Sequence, residues 1–594
     1  MKQTFNIRPL LLVSSVILLM VSSVYAQTTY VTDGSGGWGD STRWDPVGVP
    51  GENDAVTIQH ATGVTADHEF GGSDGPGGAP TASFWTTGDI NISTDQTLTH
   101  NAGGTFTFSG GDRGMGGSGV FLNAGTYRHE SDGGRIDYDN LTIRNSGTFI
   151  GDHAGTASNR HFTVRNNAVF ENTASGTFRA QNGVTRWENN GLWLNDGGTV
   201  ETINGNFRVD VIAKSTGGTF NLAAGTWVAL GDRIQDEFSG HVSGGGQLRW
   251  AGATATNDVT FNVTGEGLQV TGHIETGGNL VTNDGLMHRT VSGDTFVNGS
   301  GEFNNAGTYI HGTTNRFDFR SAATVRNTGT MEYAATGNTG TNNFLTMRTS
   351  GSAFINEGHF IKSEGTGTAR VENASGTFSN TGTLEVRSGR FFIDNTPLVE
   401  RDDNTLTGGT WIATGNGIVD MRAGADGWLQ TIGGNARVVM AGNGVIQTGP
   451  TNLSDSLHTV QGTLALQEEK SFTVNGNLNT PGTLEFGLGT YSDQGSGFDN
   501  RTLLTIDGDA DFSDGQVFIE DLGLTLGTYR LVEWTGTRIG ELTLANDTVN
   551  GYTLSLNTVD TTSGYVDLTV IPEPGTLILM IVALGSLALF RRRR

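Results

Sequence analysis

Asn123-Ala124-Gly125-Thr126-Tyr127 and Asn145-Ser146-Gly147-Thr148-Phe149 are two copies of one cassette, Asn-x-Gly-Thr followed by a large apolar side chain. It returns as Asn305-Ala306-Gly307-Thr308-Tyr309, Asn327-Thr328-Gly329-Thr330-Met331 and Asn380-Thr381-Gly382-Thr383-Leu384. Asn and Gly tolerate the left-handed backbone that sharp turns use, and a β-branched Thr followed by an apolar residue starts a strand. One such unit cannot bury its own apolar side chain, whereas a stack of them can.

The spacing sets the architecture. Asn123 to Asn145 and Asn305 to Asn327 are each 22 residues apart. That distance accommodates one coil of a solenoid with two or three short strands. Between the turns lie segments such as Leu141-Thr142-Ile143-Arg144 and Phe162-Thr163-Val164-Arg165, which place apolar residues on one face and Thr or Arg on the other. The expected fold is all-β: a right-handed parallel β-helix over about 100–490, with small β caps at 27–99 and 491–570 and a single apolar helix at the C-terminus. Phe149, Phe162 and Phe170 should stack on counterparts in neighbouring coils, and Asn at equivalent turns should form ladders. A second period is visible: Asn123 to Asn305, and Asn145 to Asn327, are both 182 residues apart, as if a block of about eight coils had been duplicated. At roughly 22 residues per coil the repeat region gives about 18 coils, and at about 4.8 Å per coil a rod of about 85 Å.

Composition agrees. Gly supplies 91 of 594 residues without a Gly-X-Y period, which excludes collagen, and 30 Phe argue against long disorder. With no Cys there are no disulfides, thiolate metal sites or cysteine nucleophiles. The net charge is −25; residues 1–26 contribute +2 and residues 571–594 contribute +3, so the body between them carries −30. Such a body repels nucleic acid and anionic lipid.

The ends carry addresses. Lys2 and Arg8, the apolar run Leu10 to Val21 and the small-residue site before Gln27 read as a signal peptide cleaved between Ala26 and Gln27. Trp38 and Trp44 before Val49-Pro50-Gly51 resemble the opening of bacterial surface β-helix proteins, in which a Trp pair covers the first coil. After Gly489 longer alternating segments, and the turn Asn550-Gly551, resemble the antiparallel closing segment of autotransporter-like passengers. Pro572-Glu573-Pro574 precedes the apolar run Thr576 to Phe590 and then Arg591, Arg592, Arg593 and Arg594. That order resembles the PEP-CTERM sorting signal of Gram-negative bacteria. The resemblance implies recognition by an exosortase, a membrane cysteine peptidase-transpeptidase, with transit through the inner membrane and delivery to the surface. The four arginines act as the cytoplasmic stop. Two prolines are expected to hold Glu573 extended and accessible outside the bilayer.

Chemistry is faint. HExxH, P-loop and Cys/His ligand spacings are absent, and no metal or cofactor is expected. Gly71-Gly72-Ser73-Asp74-Gly75 fits a nucleophile elbow without the flanking strand and helix that it needs. Asp507-Gly508-Asp509-Ala510-Asp511 starts like a calcium loop but has Phe512 and Phe518 where Gly and Glu belong. Pectin-degrading enzymes share the parallel β-helix, so Arg401-Asp402-Asp403-Asn404, His241 and His273 are the residues to test for carbohydrate chemistry. The favoured reading is an exported, non-enzymatic structural or adhesive surface protein, with exopolysaccharide or other surface material as partner. The alternative is a polysaccharide-binding or polysaccharide-degrading β-helix protein.

The inward and outward assignment is testable directly. Phe149→Asp should cost several kcal/mol by burying an unpaired carboxylate, while Arg144→Ala should cost under about 0.5 kcal/mol. Equal loss of protease resistance in the two variants would refute the assignment.

Overall fold

The structure is a computed structural model that describes residues 113–130, 135–153, 161–373, 375–422, 427–489, 502–559 and 564–573. Between 27 and 109 it describes mainly separate strand segments. The signal peptide, Trp38, the Gly71–Gly75 stretch and residues 574–594 lie outside the described residues.

The described chain is a parallel β-solenoid of short strands, each pairing in register with the strand one coil away. Val120–Asn123 pairs with Thr142–Asn145, and that strand with Val169–Asn172. Glu302–Asn305 pairs likewise with Thr324–Asn327, and that strand with Ala353–Asn356. Among the described residues the one α-helix is Leu453–Ser456. Each coil has an apolar interior. Tyr127 stacks on Phe149 at 4.3 Å between ring centroids, and Phe149 on Phe178 at 5.9 Å. Phe162 lies flat on Trp187 at 4.9 Å. All five are fully buried, whereas Arg144 faces out and reaches Glu171 at 2.7 Å.

The expected Asn ladder is present and longer than the cassettes suggest. Asn123 Nδ2 donates to Asn145 Oδ1 (2.7 Å), Asn145 to Asn172 (2.8 Å) and Asn172 to Asn195 (2.8 Å). A second file runs Asn283, Asn305, Asn327, Asn356, Asn380 with spacings of 2.6–2.7 Å. Asn172, Asn195, Asn283 and Asn356 belong to variant turns that lack the full cassette. Each amide uses its second N–H on a carbonyl of the next coil, as Asn305 does on Thr330 O at 2.7 Å. The files are therefore buried and internally satisfied.

The role of the cassette glycine differs from the expectation. Neither Gly147 nor Gly329, nor the Asn of their cassettes, takes a positive φ. Instead, a Cβ on Gly147 would sit 2.2 Å from Gly125 O, and one on Gly329 would sit 2.2 Å from Gly307 O. The coils approach through these points. Gly329 N–H donates to Asn305 O (2.8 Å) and Thr330 N–H to Gly307 O (2.8 Å). Glycine is required for clearance between coils rather than for turn handedness.

Both cap boundaries also move. Gln27–Val31 already pairs in parallel with Ala55–Gln59, then Phe84–Thr86 and Thr105–Ser109, so among the described residues stacking is present from residue 27. Parallel stacking is likewise present beyond 489. Ser471–Val474 pairs with Leu503–Ile506, and Thr483–Gly489 with Gln516–Leu522 and then Thr543–Leu544. An antiparallel sheet closes the C-terminal end, where Gly564–Pro572 lies between Gly527–Trp534 and Tyr552–Val559, and Thr29-Tyr30 pairs antiparallel with Trp44-Asp45 near the other end.

Along the Asn file the 182-residue offset corresponds to eight coils, the registered positions being Asn123, Asn145, Asn172, Asn195, Ser215, Phe238, Phe261, Asn283 and Asn305. The strand that follows the Asn takes a different line. Downward from Tyr309, stacking partners run Met287, Leu268, Leu248, Val228, Phe207. Phe207 belongs to the segment paired with Thr185–Trp187, which is the strand that follows the first block's cassette strand. Steps along this second line shorten to 19–21 residues between 207 and 287. The apolar strand of the cassette therefore changes its line of partners between the two blocks, while the Asn keeps its own.

Two variants test the coil contacts. Asn305→Ala should cost about 2–4 kcal/mol by stranding Asn283 and Asn327, and Asn304→Ala, its half-exposed neighbour, under about 1 kcal/mol. Gly329→Ala should be at least as damaging as Asn305→Ala, because the obstacle is backbone. Urea midpoints of the three variants provide the check.

Candidate functional site

The residues singled out for carbohydrate chemistry do not assemble. Arg401 is buried and donates to Asp403 O (2.9 Å), Met421 O (2.5 Å) and Gly427 O, so its guanidinium closes a loop. Asp402 and Asp403 project into solvent from the small hairpin in which Arg401 pairs with Leu406. His241 is exposed and meets Thr264 Oγ1 at 3.1 Å. His273 stacks on Phe296 at 4.1 Å on a different coil, and burial holds its pKa below the usual histidine value. The carboxylates of the Asp507–Asp511 turn each take a separate structural donor. Thr535 Oγ1 goes to Asp507 at 3.1 Å, Thr537 N to Asp509 at 2.7 Å, and Ser513 N to Asp511 at 3.0 Å. Among the described residues no group of three or more His, Asp or Glu is disposed to hold a metal ion.

The most unusual chemistry is interior and was not foreseen. On successive coils, inward positions two residues after a stacked apolar residue hold Arg289, His311, Tyr333 and Lys362. All four are buried. Arg289 donates to Val270 O (3.1 Å) and Gly293 O (2.6 Å). His311 Nε2–H donates to Asn315 O (3.0 Å). Lys362 Nζ donates to Glu364 O (2.9 Å), Gly365 O (2.8 Å) and Ser388 O (2.5 Å). Arg289, His311 and Lys362, each at the end of a strand, thus satisfy carbonyls of the wide corner that follows. Burial lowers the Lys362 ammonium to about 8 and His311 to about 4, the latter with Arg289 adding repulsion. The sequence signal was weak: a basic residue in an alternating strand reads equally well as facing out.

Outside, cations bridge coils. Arg186 meets Asp210 at 2.5 Å, Arg326 spans Glu302 (2.9 Å) and Glu357 (2.5 Å), and Arg390 meets fully buried Asp420. Near the end of the rod, Arg437 reaches over Ala465 to Glu485 at 2.5 Å. Gln467 donates to Glu485 (3.4 Å) and to Glu520. Burial and the nearby Glu485 charge push the Glu520 carboxyl up, and Phe518, 39% exposed, stands opposite Glu485 on the next coil.

The chain leaves the body through its cap. Ile571 and Pro572 are the last residues of the strand Gly564–Pro572, and Glu573 N–H donates to Gly551 O at 3.1 Å. Both Pro572 and Glu573 are half-buried. The backbone of Glu573 is thus extended and continues the strand pairing of the cap.

Comparison with known proteins adds one finding. Residues 570–594 match the PEP-CTERM protein-sorting motif family. No curated protein and no solved structure matches the chain. The motif implies exosortase processing and export through a membrane-anchored intermediate. No described helix is long and apolar enough to cross a membrane, and the apolar run Thr576 to Phe590 lies outside the described residues.

The interior file makes stability depend on pH. His311 has its folded value depressed to about 4 from 6.5, so the unfolded chain binds the proton first. The neutral imidazole's stabilisation is complete above about 6.5 and is lost as pH falls towards 4, amounting to roughly 3 kcal/mol. His311→Gln should flatten the fall between those limits relative to the parent chain. Urea midpoints from pH 7 to 4 supply the comparison, and parallel curves for the two chains would refute it.

Proposed function

We propose that this protein is a non-enzymatic structural element of the cell surface: a rigid acidic rod, exported, sorted at its C-terminus and laid down in or on surface material such as exopolysaccharide. The observation that supports the reading is that three sets of the rod's polar side chains are engaged by the rod itself. Interior Asn amides serve the next coil, buried cations serve corner carbonyls, and the outward arginines noted above serve carboxylates of adjacent coils. A side chain so engaged is costly to redeploy for catalysis, whereas a load-bearing rod benefits from every such tie. The excess of 60 acidic over 35 basic residues keeps such rods apart and soluble until they are deposited.

One observation favours a second reading, a polysaccharide-binding protein. Glu485, Glu520 and Gln467 beside exposed Phe518 combine hydrogen-bonding groups with an apolar ring on an open face, as sugar contact requires. A glycan array on the processed protein separates the readings. The rod reading expects no glycan whose binding is lost in both Phe518→Ala and Glu520→Gln. It also expects Asp402→Asn and Asp403→Asn to leave surface phenotypes intact. Uronan cleavage abolished by either Asp substitution would establish an enzyme instead.

A further inference from the structure

The sorting signal begins inside the folded body. Gly564–Pro572 is an interior strand of the cap, paired antiparallel on one side with Gly527–Trp534 and on the other with Tyr552–Val559. Pairing with the second neighbour persists to the end, where Ile571 lies opposite Thr553 and Pro572 opposite Tyr552. The next residue, Glu573, gives its N–H to Gly551 O. In an antiparallel pair alternate residues point their N–H groups to alternate sides. Since Glu573 donates toward Gly551, the N–H that Pro572 lacks would have pointed the other way. There the neighbouring strand has already begun at Gly527, opposite Val570. The proline thus sits where a missing donor costs nothing, and the motif extends the sheet without breaking it.

The turn that receives Glu573 is itself held. Asn550 and Gly551 take φ values of 47° and 84°, the left-handed pair of a tight hairpin turn, between Val549 and its partner Tyr552. Asn550 Nδ2 donates to Asp521 Oδ2 at 2.7 Å, and the other oxygen of Asp521 accepts Gly523 N (2.7 Å) and Leu524 N (2.5 Å). A continuous line of hydrogen bonds therefore runs from Glu573 through the Asn550-Gly551 turn to a loop of the last coils. Nor is there slack on the membrane side. From Glu573 to Thr576, where the apolar run starts, even a fully extended chain covers only about 10 Å.

We propose that the Asn550-Gly551 turn is a positioning element for sorting: it docks Pro572 and Glu573, the first two residues of the motif, on the folded cap, so that processing requires the end of the strand to peel away from the turn. Peptidases bind substrate backbones in extended form through the same N–H and C=O groups that a sheet occupies. A motif paired with its own cap cannot pair with an enzyme. The release of the protein is thereby tied to opening of the cap, or to the interval before the cap closes. This inference rests on the sorting reading of residues 570–594.

The test uses the full-length chain in a host with a functional exosortase, following loss of the C-terminal segment by pulse–chase and intact mass. An eight-residue Gly/Ser spacer between Ile571 and Pro572 frees the motif from the cap and should speed processing at least threefold. Gly551→Val has open space for its side chain but strains a backbone at φ 84°. It should also speed processing, and should have no further effect in the spacer background. In hydrogen exchange the Glu573 amide should be protected at least tenfold in the parent chain and unprotected in the spacer chain. Equal processing rates in the parent and spacer chains, or an unprotected Glu573 amide in the parent, would overturn the docking while leaving sorting intact. A parent chain that keeps Arg594 throughout, spacer or not, would overturn both.

Discussion

The fold depends on the distance at which one coil can approach the next. Where Gly307 O faces Gly329, the room for a side chain is nil, and that absence lets Thr330 N–H and the Asn305 amide reach across. Each such contact is modest alone, since a hydrogen bond nets about 1 kcal/mol after water is displaced. In a solenoid the contact recurs on every coil of a block, and each Asn is both donor to one neighbour and acceptor from another. The files are cooperative in the sense that no member can be removed without leaving two partners unsatisfied. Aromatic stacking fills the interior, but the glycine clearance sets the spacing at which stacking becomes possible.

The same logic explains the buried basic file. A solenoid must turn corners, and a wide corner exposes carbonyls to an interior without water. Arg289, His311 and Lys362 each end a strand pointing inward and give their N–H groups to those carbonyls. Holding a cation there is expensive, which is why Lys362 and His311 are pushed towards their neutral forms. The cost is borne because an orphaned corner would be worse. These are residues that in a globular enzyme would attract a catalytic interpretation. Here their partners are backbone carbonyls, with the Thr313 hydroxyl beside His311.

The outer surface and the two ends divide the functional burden. Along the rod, charge pairs tie coils together and leave an acidic remainder. At the C-terminus, the antiparallel cap closes the last coil and also carries the first residues of the sorting signal. Closure and sorting thus share one strand, a coupling that arises because the motif follows the cap with no intervening linker.

Much of this was legible in the chain itself. The Asn-x-Gly-Thr spacing specifies parallel coils, the alternation around Phe149 and Arg144 specifies which side is in, and the Pro-Glu-Pro, apolar run and arginines specify an address, because each is a local pattern with one physical reading. What the sequence could not decide were matters of register between distant segments. That the cassette glycine serves clearance rather than a left-handed turn depends on which carbonyl lies opposite. That the strand after the Asn changes its line of partners between the two blocks, while the Asn line spans the 182 residues in eight coils, depends on register shifts that no single segment reveals. That Arg289, His311 and Lys362 point inward depends on corner carbonyls needing donors. And that Glu573 is held by Gly551 depends on a pairing between strands whose sequences say only that each is a strand.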